Sequence, residues 1–212
     1  MSIYENIQRI KSDVKESVVI VAVTKNQTAE DIKLVINNGI INIGESKWQE
    51  AKEKIPLIPP FATKHFIGHL QSNKVKDVVE HFDVIQSVDT LKLAEMINEE
   101  CKKLNKTMEI MIQVNTSGEA QKSGVSPHEA ISLINKVSKL PNIKLIGLMT
   151  IGVKSNDEEK IRKCFKLLKQ IFDQIKNHNS QITYLSMGMS GDYKIAIEEG
   201  STMVRIGKGL FG

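Results

Sequence analysis

The sequence predicts an α/β fold, a single (β/α)₈ barrel closed by a helix from the N-terminus. Three observations predict it. Eight short β-branched runs alternate with helix-spaced stretches along the chain, which argues for parallel strands joined by right-handed crossovers. An eighth helical stretch precedes the first strand, so the ring of helices can be closed from the front. No linker, repeat or low-complexity tract divides the 212 residues, so 1–212 reads as one domain. A doubly wound open sheet is the alternative, disfavoured because no GxGxxG follows the first strand. The chain is short for a barrel of about 250 residues, so the loops must be tight.

The elements follow in order. Ser2–Glu16 carries Ile3, Ile7, Ile10 and Val14 on one helical face. The strands are Val18–Val23, Ile40–Ile43, Lys64–Ile67, Val84–Ser87, Met108–Val114, Ile143–Met149, Ile182–Ser186 and Met203–Ile206. Between and after them lie helices at Ala29–Asn38, Lys47–Lys54, Lys74–His81, Leu91–Leu104, Pro127–Lys139, Asp157–His178 and Gly191–Glu199. Thr28, Ser126 and Asn156 stand at helix starts as caps, with Pro127 at a first helical position. Gly39 and Gly200 stand where helices should stop.

Composition excludes several classes. Hydrophobic residues are 41% and charged residues 25%, as in globular proteins. No apolar run approaches the roughly 20 residues of a membrane span, and Met1–Lys15 has no signal-peptide pattern. The net charge of +4 is modest and its acids are interspersed, which disfavours nucleic acid as a partner. Cys101 and Cys164 lie in helical patterns without CxxC, as expected of reduced thiols in a cytoplasmic protein. No long apolar surface stripe calls for a partner, so a monomer is expected.

The chemistry of such a barrel sits at the C-terminal strand ends. The first strand runs into Lys25, where the barrel mouth should partly desolvate the amine and favour the neutral form that attacks a carbonyl. A lysine reaching past the strand end to water is the plainer alternative. Ser186-Met-Gly-Met-Ser190 and Gly200–Gly209 supply small residues after the seventh and eighth strands, and Ser190 stands at a helix start. Paired loops of this kind suit a phosphate. Arg205 is one of only three arginines and lies in an apolar strand, so something must accept its hydrogen bonds. His65 and His69 read as strand and turn rather than as a metal pair. Trp48 and the methionines read as core, though Met149 at the end of the sixth strand could line the mouth. The polar loop 115–124 could cover a ligand. A lysine amine and an arginine beside an anion site suggest a phosphorylated aldehyde, such as pyridoxal 5′-phosphate.

Val21-Ala-Val-Thr-Lys25, Gly44-Glu45 with Gln49-Glu50, His65-Phe-Ile-Gly68 with Leu70–Lys74, Leu148-Met149, Ser186–Ser190 and Gly200–Gly207 resemble the YggS/PROSC family of pyridoxal-phosphate homeostasis proteins. The resemblance implies a barrel like the N-terminal domain of alanine racemase, with pyridoxal phosphate held as an imine on Lys25. It implies that Ser190, Gly207 and Lys208 hold the phosphate and that Arg205 faces the pyridine nitrogen. Asn73, Met149 and His65 are further pocket candidates. Two departures stand out: Ser46 replaces the family's usual asparagine, and the chain ends at Gly212, where relatives often run on.

Racemisation needs acid–base groups on both faces of the substrate carbon. Tyr4, Tyr184 and Tyr193 lie within helix or strand patterns, and no second domain is in sight to bring another tyrosine. The expectation is a non-enzymatic carrier that buffers the cofactor and passes it to apo-enzymes. A weak amino-acid racemase is the alternative.

Overall fold

The computed structural model describes residues 2–176 and 181–212. Eight parallel strands pair in sequence order and close into a barrel, β1 (Val19–Val23) meeting β8 (Met203–Ile206). Between these lie β2 (Asn42–Glu45), β3 (Thr63–Phe66), β4 (Val84–Val88), β5 (Met108–Gln113), β6 (Ile143–Met149) and β7 (Tyr184–Ser186). The helices are α1 (Ile3–Asp13), α2 (Ala29–Asn37), α3 (Trp48–Lys54), α4 (Val75–His81), α5 (Leu91–Lys103), α6 (Pro127–Val137), α7 (Glu158–Lys176), α8 (Tyr193–Glu198) and α9 (Lys208–Phe211).

Alternation along the strands sorts the apolar residues into two layers. Val21, Val84, Met111, Ile146, Met149 and Met203 fill the barrel interior. The remaining strand residues pack outward against the helices, in one cluster under α4–α7 and another under α1 and α2. Helix α1 lies against α2 and α9, and its Ile7 and Ile10 are fully buried against Val204, Ile206 and Leu210. The closing role expected of the N-terminal helix is therefore observed. Two ladders slip by a residue, at Ile85/Val88 on β4 and at Ile110/Met111 between β5 and β6. Such bulges re-aim side chains where pairing is interrupted.

Several boundaries moved. The second strand begins at Asn42 because the Ile40 N–H is used to cap α2, donating to Val35 O (3.2 Å) beyond Gly39 at φ +85°. Helix α1 stops at Asp13 because Val14 is extended. Asp157, not Asn156, caps α7, its Oδ1 accepting from Glu159 N (3.1 Å). Ser126 makes no backbone cap; its hydroxyl donates to Glu129 (2.7 Å). Thr28 caps α2 as expected, and does so in a reciprocal box with Asp31. The expected end of the seventh helix, at His178, lies outside the described residues. Cys101 and Cys164 are buried and unbridged.

Candidate functional site

Arg205 is the most deeply placed charge at the mouth. It pairs with Val21 across the β1–β8 seam and is 4% exposed. Its Nη1 donates to Ser186 Oγ (2.7 Å) and its Nη2 to the Thr150 carbonyl (2.8 Å). The acceptors that its burial requires are thus a hydroxyl and a backbone carbonyl rather than a carboxylate. Burial pushes the guanidinium down to about 10, against the opposing pull of the Asp192 charge, so it stays protonated at neutral pH. From Ser186 the polar contacts continue across the interior to Gln86 (2.7 Å), His65 (3.0 Å) and Asn42 (3.0 Å). His65 is 2% exposed, and burial pushes it down to about 4.

Lys25 does not have the expected burial. The ladder with β2 ends at Thr24, the chain turns through Asn26 at φ +60°, and no element covers the lysine, which is exposed. Its amine makes no hydrogen bond or ion pair among the described residues. The residue before it is clamped. Thr24 Oγ1 donates to Glu45 Oε1 (2.7 Å), and Lys54 Nζ donates to both Glu45 and the Thr24 carbonyl (2.8 Å). Glu45 was read as part of a polar strand end, but its clamp on Thr24 through Lys54 was not foreseen. The available signal was a carboxylate ending an apolar strand, where only a paired charge is tolerated.

The loops after β7 and β8 meet as predicted. Ser190 Oγ accepts from Gly209 N–H (2.9 Å). Among the described residues, the N–H groups of Ser190, Gly191, Gly207 and Lys208 meet no protein acceptor. Ser190 is not at a helix start, however. Helix α8 begins at Tyr193, and Asp192 occupies the cap, its carboxylate accepting from Met189 N–H (2.6 Å). What this corner offers an anion is free N–H groups rather than a helix dipole. Gly188 permits the β7 turn at φ +95°, where a Cβ would lie 2.6 Å from that of Ala196. From outside, Arg9 donates to Gly209 O (3.0 Å) and Asn6 to Leu210 O (3.1 Å), so α1 fastens the β8 loop.

The other candidates divide. Met149 is fully buried in the interior beside Met203. Asn73, in the turn Ser72–Lys74 after β3, is exposed and lines a groove with α4 and α5 residues such as Lys76, Glu95 and Met96. Lys208 is exposed at the start of α9. The Ser46 backbone lies so close to Gly68 that a Cβ there would stand 2.0 Å from Ser46 O. His69 is exposed and meets Ser123 (3.4 Å), and no metal-sized cluster of His, Cys, Asp and Glu occurs among the described residues. The loop 115–124 is pinned by Asn115, which donates to Glu119 O and Lys122 O. Tyr193 donates to Asp13 (2.6 Å) and Tyr184 begins β7 at the far end of the interior, while Tyr4 is exposed on α1. No described helix is long and apolar enough to cross a membrane.

Comparison with known proteins places the chain. Residues 1–212 match the family described as alanine racemase, N-terminal domain. The pyridoxal phosphate homeostasis protein of Pasteurella multocida is 40% identical, over 99% of this chain and 94% of its own. That of Schizosaccharomyces pombe is 36% identical over 100% and 92%. PipY of Synechococcus elongatus, solved with pyridoxal phosphate bound, superposes with a TM-score of 0.91 at 31% identity over all of both chains. Alanine racemase of Clostridium difficile superposes at 0.85 with 21% identity, this chain spanning 55% of it, which bears on the fold alone. The chain belongs to the family of pyridoxal phosphate homeostasis proteins, on the alanine racemase N-terminal-domain barrel.

Proposed function

We propose that this chain binds pyridoxal 5′-phosphate at the C-terminal mouth of its barrel, as a reversible imine on Lys25, and buffers and delivers it without turnover of its own. One observation carries the reading: among the described residues, four N–H groups of the β7 and β8 loops meet no protein acceptor, the two loops touch through Ser190 Oγ and Gly209 N–H, and a buried, protonated Arg205 precedes the second loop on β8. This donor set fits a phosphorylated pyridine, with N–H groups for the anion and a guanidinium for the ring nitrogen. Bound there, the cofactor supplies an electrophilic carbonyl.

The chain's own residues do the rest. Ser190, Gly207 and Lys208 orient the phosphate. Arg205 has only donors, so a ring nitrogen facing it must accept and stays unprotonated, which weakens the ring as an electron sink. The exposed Lys25 amine, unpaired among the described residues, is free to take and release a carbonyl. Met149, the last residue of β6, and His65 on β3 are buried in the barrel interior and would line the pocket from within. Tyr193 is engaged by Asp13 and Tyr184 is remote, so no described tyrosine offers a second base. Release to apo-enzymes follows from a reversible link at an open strand end.

The test is the visible spectrum with added pyridoxal phosphate, before and after borohydride, with mass spectrometry of the reduced protein. An imine band fixed covalently to Lys25, and absent from Lys25→Ala, is expected. A Lys25→Ala protein that behaves like the parent would sink the proposal. Steady formation of a D-amino acid by clean protein would favour a racemase instead.

A further inference from the structure

Gln86 is a fully buried amide in the barrel, on the strand whose ladder slips. All its hydrogen-bonding groups are engaged. Their directions can be worked out from the one member of the network that cannot accept. Arg205 carries only donors. Ser186 Oγ therefore accepts from Arg205 Nη1 (2.7 Å), and its own proton goes to Gln86 Oε1 (2.7 Å). The other end of the amide is fixed independently. Met203 Sδ, 3.2 Å away, has no proton, so the Gln86 NH₂ group must face it. The second amide proton then points at His65 Nδ1 (3.0 Å), which must accept. A neutral imidazole with Nδ1 bare carries its proton on Nε2 and donates it to Asn42 Oδ1 (3.0 Å).

We infer that Ser186 and Gln86 are positioning residues for Arg205, the near end of a one-way hydrogen-bond chain that runs through His65 to Asn42 and holds the guanidinium in its donating pose at the barrel mouth. The inference rests on the reading that Arg205 meets the ring nitrogen of a bound pyridine. Both terminal nitrogens of Arg205 are anchored, one by Ser186 and one by the Thr150 carbonyl, itself beside a hydroxyl that donates to Val114 O (2.7 Å). Its Nε–H meets no acceptor among the described residues. A planar fork held at two points presents its remaining donors in one direction, which a lysine could not do. The chain also requires a neutral His65. An imidazolium would turn an N–H against the Gln86 N–H, and the ring is too buried for a charge; Asp83 is the acidic side chain that opposes this, and Arg205 is the cation on the same chain.

Two measurements test it. In ¹⁵N imidazole spectra of the protein without added cofactor, His65 should show a bare Nδ1 and a protonated Nε2, unchanged from about pH 5 to 8. Gln86→Glu should move the proton to Nδ1, because a carboxylate then faces it. In cofactor titrations, Ser186→Ala and Gln86→Leu should bind about tenfold more weakly while Lys25 is still tagged by borohydride, and Ser186→Thr, which keeps the hydroxyl, should bind like the parent. A parent His65 that carries its proton on Nδ1 or titrates in this range would overturn the inference. So would Ser186→Ala and Gln86→Leu proteins with parental affinity. A parent that forms no imine band at all would instead remove the binding proposal, and the imidazole spectrum would still decide the direction of the chain.

Discussion

Thr24 is held at both its hydroxyl and its carbonyl, one residue before Lys25. The holder is the Glu45–Lys54 pair, whose side chains are only 2% and 13% exposed. Removing one partner of such a buried pair leaves the other uncompensated, so Lys54→Ala should cost about 3 kcal/mol in urea unfolding. Replacing both by apolar residues of similar size should recover most of that. A double variant no more stable than the single one would show that the pair is not coupled in this way. Gly188 sets another limit at this scale. Alanine there would need φ near +95° and would press on Ala196. Gly188→Ala should lose about 2 kcal/mol or more and weaken cofactor binding, because the Ser190 loop follows directly. Of the residues discussed here, Lys25, Arg205 and Ser190 were legible because each breaks a local pattern: a charge at or in an apolar strand, a hydroxyl among glycines. Glu45, Lys54 and Gln86 were not legible as site residues. Their partners lie between 9 and 117 positions away in sequence.

At the scale of elements, α1 does more than close the ring. Asn6 and Arg9 grip the β8 loop, and Asp13 takes the Tyr193 hydroxyl (2.6 Å) and the Lys194 ammonium (3.0 Å) from α8. One helix thus fastens both loops of the proposed phosphate corner. Hydrogen bonds from Tyr193 and Lys194 hold the Asp13 carboxyl below its ordinary 3.8. Its folded-state value is depressed, so its contribution is present above about pH 4 and lost as acid takes the pH down through the folded value. Asp13→Asn should be less stable than the parent at neutral pH, and the gap should shrink below about pH 4. A gap independent of pH would mean that the carboxylate charge is irrelevant. The elements themselves were read from 3.6- and 2-residue periods, and each of the eight strands was found. Their ends were missed where local hydrogen bonds decided them: Ile40 lent its N–H to α2, and α8 began only at Tyr193, after a turn in which the Asp192 carboxylate accepts from Met189 N–H. Helix α9 is four residues long, too short to show a period.

For the molecule as a whole, the barrel interior combines an apolar floor with a polar chain, and the chain gives it a pH dependence. His65 is pushed from 6.5 to about 4 by burial, so the folded state keeps it neutral while the unfolded chain takes up a proton. Stability is full above about pH 6.5 and should fall by on the order of 3 kcal/mol as pH drops towards 4. Urea midpoints of the parent and His65→Gln across that range would check it; parallel curves would refute it. The sequence by itself determined the class of fold, the order of the strands and the strand-end identity of Lys25, Ser190 and Arg205. These depend on local periodicity and on which residues tolerate a strand end. Only the tertiary structure decided that Lys25 stands exposed, that Asn73 lines a groove with α4 and α5, and that Arg205 is answered by Ser186 and Thr150, with Gln86 and His65 behind Ser186. Burial and hydrogen-bond direction belong to strands β3, β4, β7 and β8 meeting in a closed ring, and no single stretch of the chain contains that meeting.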